Sequence, residues 1–262
     1  DSPFDFNKII LTDGAKVETE KEVDITADDL LIEKSSKLGL SKDQNINIPV
    51  ISLDSGLVTL SGEETLNTDT LTLIGSSVID VLVEKILTLS IPNIDVGVGS
   101  SIVANGKGYV DGPGAQISPE DYAGASYGGA GARNTLSPLY GRETEPVDFG
   151  SGGQNNFRGG GAIRIVTDTL TNNGTISAHG DSTSSGGSVY VTTESLSGDG
   201  VFSANGGGSF FGSIVYGPGG GGRVAIHYGE SSFTGQTLAN GANSNGGGNS
   251  QIGTVKLIDI SI

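Results

Sequence analysis

The 262-residue chain carries 30 acidic against 14 basic side chains, a formal charge of −16, and 44 of its residues are glycine while Cys, Met and Trp are absent. That balance excludes a disulfide framework, a thiolate metal site and a cysteine nucleophile, and it disfavours nucleic acid and anionic membrane surfaces, both of which call for a cationic footprint. No run of about 18 apolar residues offers a spanning helix, so no membrane insertion is expected. The dispersed carboxylates leave calcium as the one candidate cofactor. The sequence begins at Asp1 without a Met or a basic and apolar leader, which leads to the expectation of a processed form or a fragment.

The first hundred residues repeat. Apolar i, i+2 pairs fall at Ile9/Leu11, Leu30/Ile32, Ile51/Leu53, Leu71/Leu73 and Leu87/Leu89. Alternation of this kind marks strands with one buried face. Turn signals follow several pairs: Asp13-Gly14 before Val17, Asp54-Ser55-Gly56 before Leu57, and Gly75-Ser76-Ser77 before Val78. Asp28 and Asp29 ahead of Leu30-Leu31-Ile32 also suit a helix start, but the Leu30/Ile32 pair is in phase with its neighbours, and phase favours a strand.

From Ser101 the turns become glycine-rich. Ala-Asn-Gly recurs at Ala104–Gly106, Ala204–Gly206 and Ala239–Gly241, with His179 replacing Asn in Ala178–Gly180. Asn and Gly accept left-handed backbone angles, so these read as stacked corners with an asparagine ladder. After each glycine run comes a short strand: Ile163-Arg164-Ile165, Val189-Tyr190-Val191, Val224-Ala225-Ile226 and Val255-Lys256-Leu257. A period in the twenties, broken by insertions, is the signature of a stacked array.

Residues 107–158 break the rhythm with Pro113, Pro119, Pro138 and Pro146, six aromatics including Tyr109 and Phe149, and Arg133, Arg142 and Arg158. A segment of that length inside a repeat array is expected to be a functional loop. Its Tyr122, Tyr127 and Tyr140, beside Arg133, Arg142 and Asp148, form a candidate glycan-binding surface, because aromatic faces pack on pyranose rings while polar groups take the hydroxyls.

Gly-Gly-Gly-Ala-Ile-Arg-Ile at 159–165, Asn-Gly-Thr-Ile-Ser-Ala-His-Gly at 173–180 and Gly-Gly-Gly-Gly-Arg-Val-Ala-Ile-His-Tyr at 219–228 resemble the repeats of glycine-rich secreted and cell-surface β-solenoid proteins, of the adhesin or pectin-lyase-like type. Tyr127-Gly128-Gly129-Ala130-Gly131 and Phe149-Gly150-Ser151-Gly152-Gly153 resemble their inter-repeat loop. The resemblance implies a parallel β-helix serving as a rod or display surface in an extracellular or cell-surface setting.

No catalytic constellation stands out. His179 and His227 have neither a serine elbow nor metal-ligand spacing beside them, and the glycine tracts lack the strand-to-helix context of a phosphate loop. Paired carboxylates of a polysaccharide lyase or hydrolase would have to come from Asp111, Glu120, Asp121, Glu143, Glu145 and Asp148, with Arg133, Arg142 or Arg158 as cationic partners. Thr68-Asp69-Thr70 and Thr167-Asp168-Thr169 do not recur on every repeat, as an ice-binding face would require, and Asn173-Gly174-Thr175 matches a glycosylation acceptor.

The expectation is therefore one all-β domain over residues 1–262, a right-handed parallel β-helix of about ten to twelve rungs: regular rungs over 1–106, an inserted loop over 107–158 and glycine-rich rungs over 159–262. Its leading role is a non-catalytic structural or adhesive module, with a carbohydrate-active β-helix as the alternative. Open ends at Phe4, Ile9 and Leu11 and at Val255, Leu257 and Ile260 are the candidate surfaces for self-assembly, and surface glycans the other candidate partner.

Overall fold

The computed structural model describes residues 4–19, 25–40, 44–62, 65–115, 122–133, 138–208, 216–244 and 248–261. The chain winds through successive coils. The first holds β1 (Phe4–Leu11) and β2 (Lys16–Glu18), and the second β3 (Ile25–Glu33) and β4 (Lys37–Gly39). The third holds β5 (Asn45–Asn47), β6 (Val50–Asp54) and β7 (Leu57–Leu60); the fourth β8 (Thr65–Asn67), β9 (Thr70–Ile74) and β10 (Val78–Val81); the fifth β11 (Ile86–Ser90), β12 (Asn93–Val96) and β13 (Ser101–Val103). After the insertion come β14 (Ala162–Asn172) with β15 (Thr175–Ser177), β16 (Ser188–Ser197) with β17 (Val201–Ser203), and β18 (Arg223–Ser231) with β19 (Gln236–Leu238). A small hairpin of β20 (Asn243–Ser244) and β21 (Gly248–Asn249) precedes β22 (Thr254–Asp259).

These strands build two large parallel sheets. The first has twelve strands and the second, in the order β19-β17-β15-β13-β10-β7-β4-β2, has eight. Every ladder in both is parallel, as a solenoid-like winding requires, and the only antiparallel pairing among the described residues is the β20–β21 hairpin. Nine coils follow one another along β1, β3, β6, β9, β12, β14, β16, β18 and β22, about 40 Å at a strand spacing of ~4.8 Å. That is fewer than the repeat count predicted, because the insertion adds no coil and Leu87/Leu89 does not begin a new one. Those residues lie in β11 and pair with Ile163 and Ile165, whereas Leu73 pairs with Val96 in β12 of the same coil.

The apolar pairs stack as the phase argument requires. Leu11 aligns with Ile32, Ile32 with Leu53 and Leu53 with Leu73, and Ile32, Leu53, Leu73 and Val96 are fully buried. In the second sheet the inward column is Val17, Leu38, Val58, Ile79, Ile102, Ile176 and Phe202. Residues 25–33 are strand, so the tertiary ladder overrides the local helix signal.

Corners between the sheets use left-handed backbone. Asp13, Lys34, Ser35, Ser55 and Ser76 have φ of 57°, 52°, 62°, 61° and 69°, and they stack through Gly14 N–H to Lys34 O, Ser35 N–H to Ser55 O and Ser55 N–H to Ile74 O. The Ala-Asn-Gly corners behave differently: of their glycines only Gly106 is left-handed. The ladder there runs from side chain to backbone, with the His179 amide donating to Asn105 Oδ1 (2.7 Å) and the Asn240 amide to Asn205 Oδ1 (2.8 Å). An amide-to-amide ladder occurs instead between Asn67 and Asn47, 2.6 Å apart.

One bond recurs in each glycine-rich coil. Gly161 N–H donates to Ala104 O, Gly187 to Ala178 O, Gly222 to Ala204 O and Gly253 to Ala239 O, all at 2.7–2.8 Å. It joins the corner at the end of the second sheet to the residues that open the next strand of the first, forming a neck from which each insertion leaves. Two residues after the inward Leu38, Val58 and Ile79 stand Leu40, Leu60 and Val81; after Ile102, Ile176 and Phe202 stand Ala104, Ala178 and Ala204. Alanine is needed because the returning glycine backbone occupies the space of the larger side chain. Glycine is needed because a Cβ on Gly160, Gly186 or Gly221 would overlap the carbonyl oxygen of Ala178, Ala204 or Ala239.

Gly187→Ala, whose Cβ would overlap Gly161 O, is expected to destabilise the chain by about 2 kcal/mol or more through backbone displacement. Gly208→Ala meets nothing within 4 Å and is expected to be close to neutral. Paired chemical-denaturation curves of the two variants check this.

Candidate functional site

The insertion folds back as a strap on the outer face of the first sheet. Gly108 N–H donates to Gly159 O and Gly150 N–H to Gly160 O, which returns both ends of the strap to the neck. Its middle joins the glycine-rich segments of later coils: Gly129 N–H donates to Gly221 O, Gly220 N–H to Ala125 O and Gln251 N–H to Ala130 O. These segments lie so close that Gly124, Gly128 and Gly129 could not carry a Cβ without striking Pro218, Gly222 and Ile252 backbone.

Under the strap lies a polar cluster. The residues that open β14, β16, β18 and β22 align as Ala162, Ser188, Arg223 and Thr254, and the first three are buried. Arg223 donates through Nε (3.0 Å) and Nη2 (2.7 Å) to Tyr140 O and through Nη1 (3.1 Å) to Thr254 Oγ1. Its guanidinium lies 5.2 Å from the Tyr127 ring centroid, with Glu143 Oε1 at 3.7 Å. Ser188 Oγ donates to Asp148 O (2.6 Å) and shares a 2.7 Å hydrogen bond with the Tyr127 hydroxyl. Tyr140 closes the cluster, its hydroxyl 2.7 Å from Phe149 O and 2.8 Å from Ser151 Oγ.

Three of the predicted site residues are therefore brought together, but around an anchor. Tyr127 is fully buried and its ring packs 4.6 Å from Tyr140, leaving no face for a sugar ring. This corrects its placement on the loop surface. Asp148 is half-buried with its backbone oxygen on Ser188, and Arg142 is exposed and ion-paired to Glu145 at 3.2 Å. Tyr122 lies elsewhere, edge-on to Tyr216, and Arg133 is exposed with φ 61°.

Among the carboxylates considered for catalysis, Glu143 sits 3.2 Å from Lys256, Asp111 is exposed, and Glu120 and Asp121 lie outside the described residues. Arg158 pairs with Glu84 at 2.8 Å and donates to Gly108 O, which fastens the neck. Among the described residues no three His, Cys, Asp or Glu side chains converge as a metal-holding group. No helix among them is long and apolar enough to cross a membrane, a statement that does not bear on strands.

The sequence did not single out Arg223 or Ser188. The available signal was a large cation at an outward strand position within Gly-Gly-Gly-Gly-Arg-Val, where every neighbour is small.

At the two edges, side chains that elsewhere fill the core are open. Phe6 is 47 % exposed and Val17 38 % at one, and Val255 38 % and Leu257 53 % at the other. Ile9 and Leu11 pack partly against the core, Ile260 is 42 % exposed, and the Phe4 side chain lies outside the described residues.

Two titrations follow from burial. Desolvation pushes the Tyr127 and Tyr140 phenols well above their ordinary range, so the folded chain holds those protons longer than the unfolded one and loses stability as pH rises above about 10. Desolvation lowers His179, so stability falls again as pH drops through the ordinary histidine range, near 6.5. Thermal denaturation across pH is expected to decline at both limits, with Tyr140→Phe removing part of the alkaline limb.

Arg223→Ala is expected to release the strap, costing about 3 kcal/mol from the buried partners it leaves unpaired, with limited proteolysis cutting within 138–149. Arg142→Ala, which removes an exposed pair, is expected to change stability by less than about 1 kcal/mol. The chain matches no protein-family model, no curated protein and no solved structure.

Proposed function

We propose that this chain is a non-catalytic structural or adhesive solenoid, a right-handed parallel β-helix working as an extracellular or cell-surface module. Right-handed winding follows the rule for parallel crossovers. The observation that carries the functional reading is the use of the strap's polar groups. Tyr127, Tyr140, Glu143 and Thr144 point their hydrogen-bonding atoms at Ser188, Ser151, Lys256 and His227 of the scaffold or of the strap itself. Groups fixed in this way hold a shape; they are not poised to exchange protons with a substrate.

Filament formation belongs to the same reading. The exposed inward-row residues Val17, Val255 and Leu257 and the outer edges of β1 and β22, which carry no ladder among the described residues, suit strand addition by a further copy. Electron microscopy and light scattering on the purified chain are expected to show end-to-end rods whose length grows with concentration, and a strictly monomeric chain at high concentration removes the filament part. Turnover of any polysaccharide that disappears in Asp148→Ala or Glu145→Ala would replace the whole reading with an enzymatic one.

A further inference from the structure

Beside the strap the outer face of the first sheet is uncovered. Strand pairing places Thr88, Arg164 and Tyr190 in one outward row on three successive coils. The next member, Ala225, is fully buried because Arg223 and His227 on either side of it bond to Tyr140 O and Thr144 O of the strap. The row thus begins in the open and ends against a wall. Beside it runs a second outward row of Ser90, Val166, Thr192 and His227, whose ring is held edge-on to Tyr190 at 5.3 Å.

Arg164 is the feature without a structural role. It is exposed and makes no hydrogen bond or ion pair among the described residues, in a chain with twice as many acidic as basic side chains. The other described arginines differ: Arg142, Arg158 and Arg223 each hold a carboxylate, and Arg133 is also engaged. A guanidinium presents a planar fork of donors that bridges two adjacent oxygens, and Tyr190 beside it offers a half-buried ring whose position is fixed by His227.

We propose that this strip binds an extended neutral polysaccharide lying along the solenoid axis. Tyr190 packs on a pyranose face. Arg164 donates to vicinal hydroxyls of the neighbouring sugar, and Thr88, Ser90 and Thr192 satisfy the remaining hydroxyls. Strands spaced ~4.8 Å apart repeat outward groups along a straight line, which a stiff, extended chain follows and a coiled one does not. The charge of −16 selects against polyanions, since like charges repel across the whole face. Apart from His227, which bonds to Thr144 O and borders Tyr190, this site is separate from the residues that carry the structural reading, and it stands or falls independently of filament growth.

Affinity electrophoresis and calorimetry of the full chain against glucomannan, dextran and alginate test the proposal. Expected are binding to glucomannan alone, a loss of at least tenfold in affinity in Arg164→Ala and in Tyr190→Ala, partial retention in Arg164→Lys, and no change in Arg142→Ala. Arg164 is exposed and Tyr190 half-buried against His227, so an unchanged denaturation midpoint is expected for Arg164→Ala and a small decrease, with a cooperative transition retained, for Tyr190→Ala. The absence of binding to glucomannan, equal binding by Arg164→Ala, or tighter binding to alginate than to glucomannan each overturns it.

Discussion

The glycine-rich half of the molecule depends on one hydrogen bond repeated four times, from the glycine that opens a coil to the alanine that ended the second sheet. A 2.7–2.8 Å amide bond at this position brings two backbones together where the earlier coils place Leu40, Leu60 and Val81. The bond therefore dictates two residue types at once. One side must shrink to alanine, and the other must lose its Cβ. Glycine here is a requirement of packing distance; at most of these positions it is not a requirement of backbone angle. Close approach of this kind leaves little room for side-chain adjustment, so the neck is rigid and its substitutions are costly.

Rigidity at the neck explains how the described parts of the strap are held against the array. Its ends are fixed by Gly108 and Gly150, its middle by hydrogen bonds to glycines of later coils, and its apex by Arg223 and His227. A buried arginine with three donors used and an aromatic face beneath it is stable only when nearly all its partners are present. The strap and the sheet below it thus form one cooperative unit. The uncovered part of the same face keeps its outward side chains available.

Much of this was legible in the residues. The i, i+2 pairs and their turn signals located the strands of the first four coils, and Ile163, Val189, Val224 and Val255 stack in the predicted column. The 16-residue step at Leu87/Leu89 misled because a long first-sheet side contains two inward pairs, one on each side of the bend at Pro92. Periodicity alone does not say which pair continues the column. The aromatic residues of the loop misled for a different reason. Tyr127 has the same composition signature whether its ring faces solvent or a guanidinium, and the burial that distinguishes the two comes from strand register some sixty residues away, at Ser188. Arg223 was hidden because its partners are mostly backbone carbonyl, hydroxyl and ring, none of which leaves a charge pattern in the sequence.

The insertion also shapes how the chain reaches this structure. Most neighbouring strands of the first sheet are 20–35 residues apart, but Ile94 pairs with Leu170 across the whole inserted segment. Lengthening a closure from 21 to 76 residues costs only about 1 kcal/mol of loop entropy. The equilibrium barely registers the detour. The rate does, because long-range parallel pairing must wait until distant segments meet. The two halves of the array are each local in sequence, and the junction between β12 and β14 is a long-range pairing that joins them.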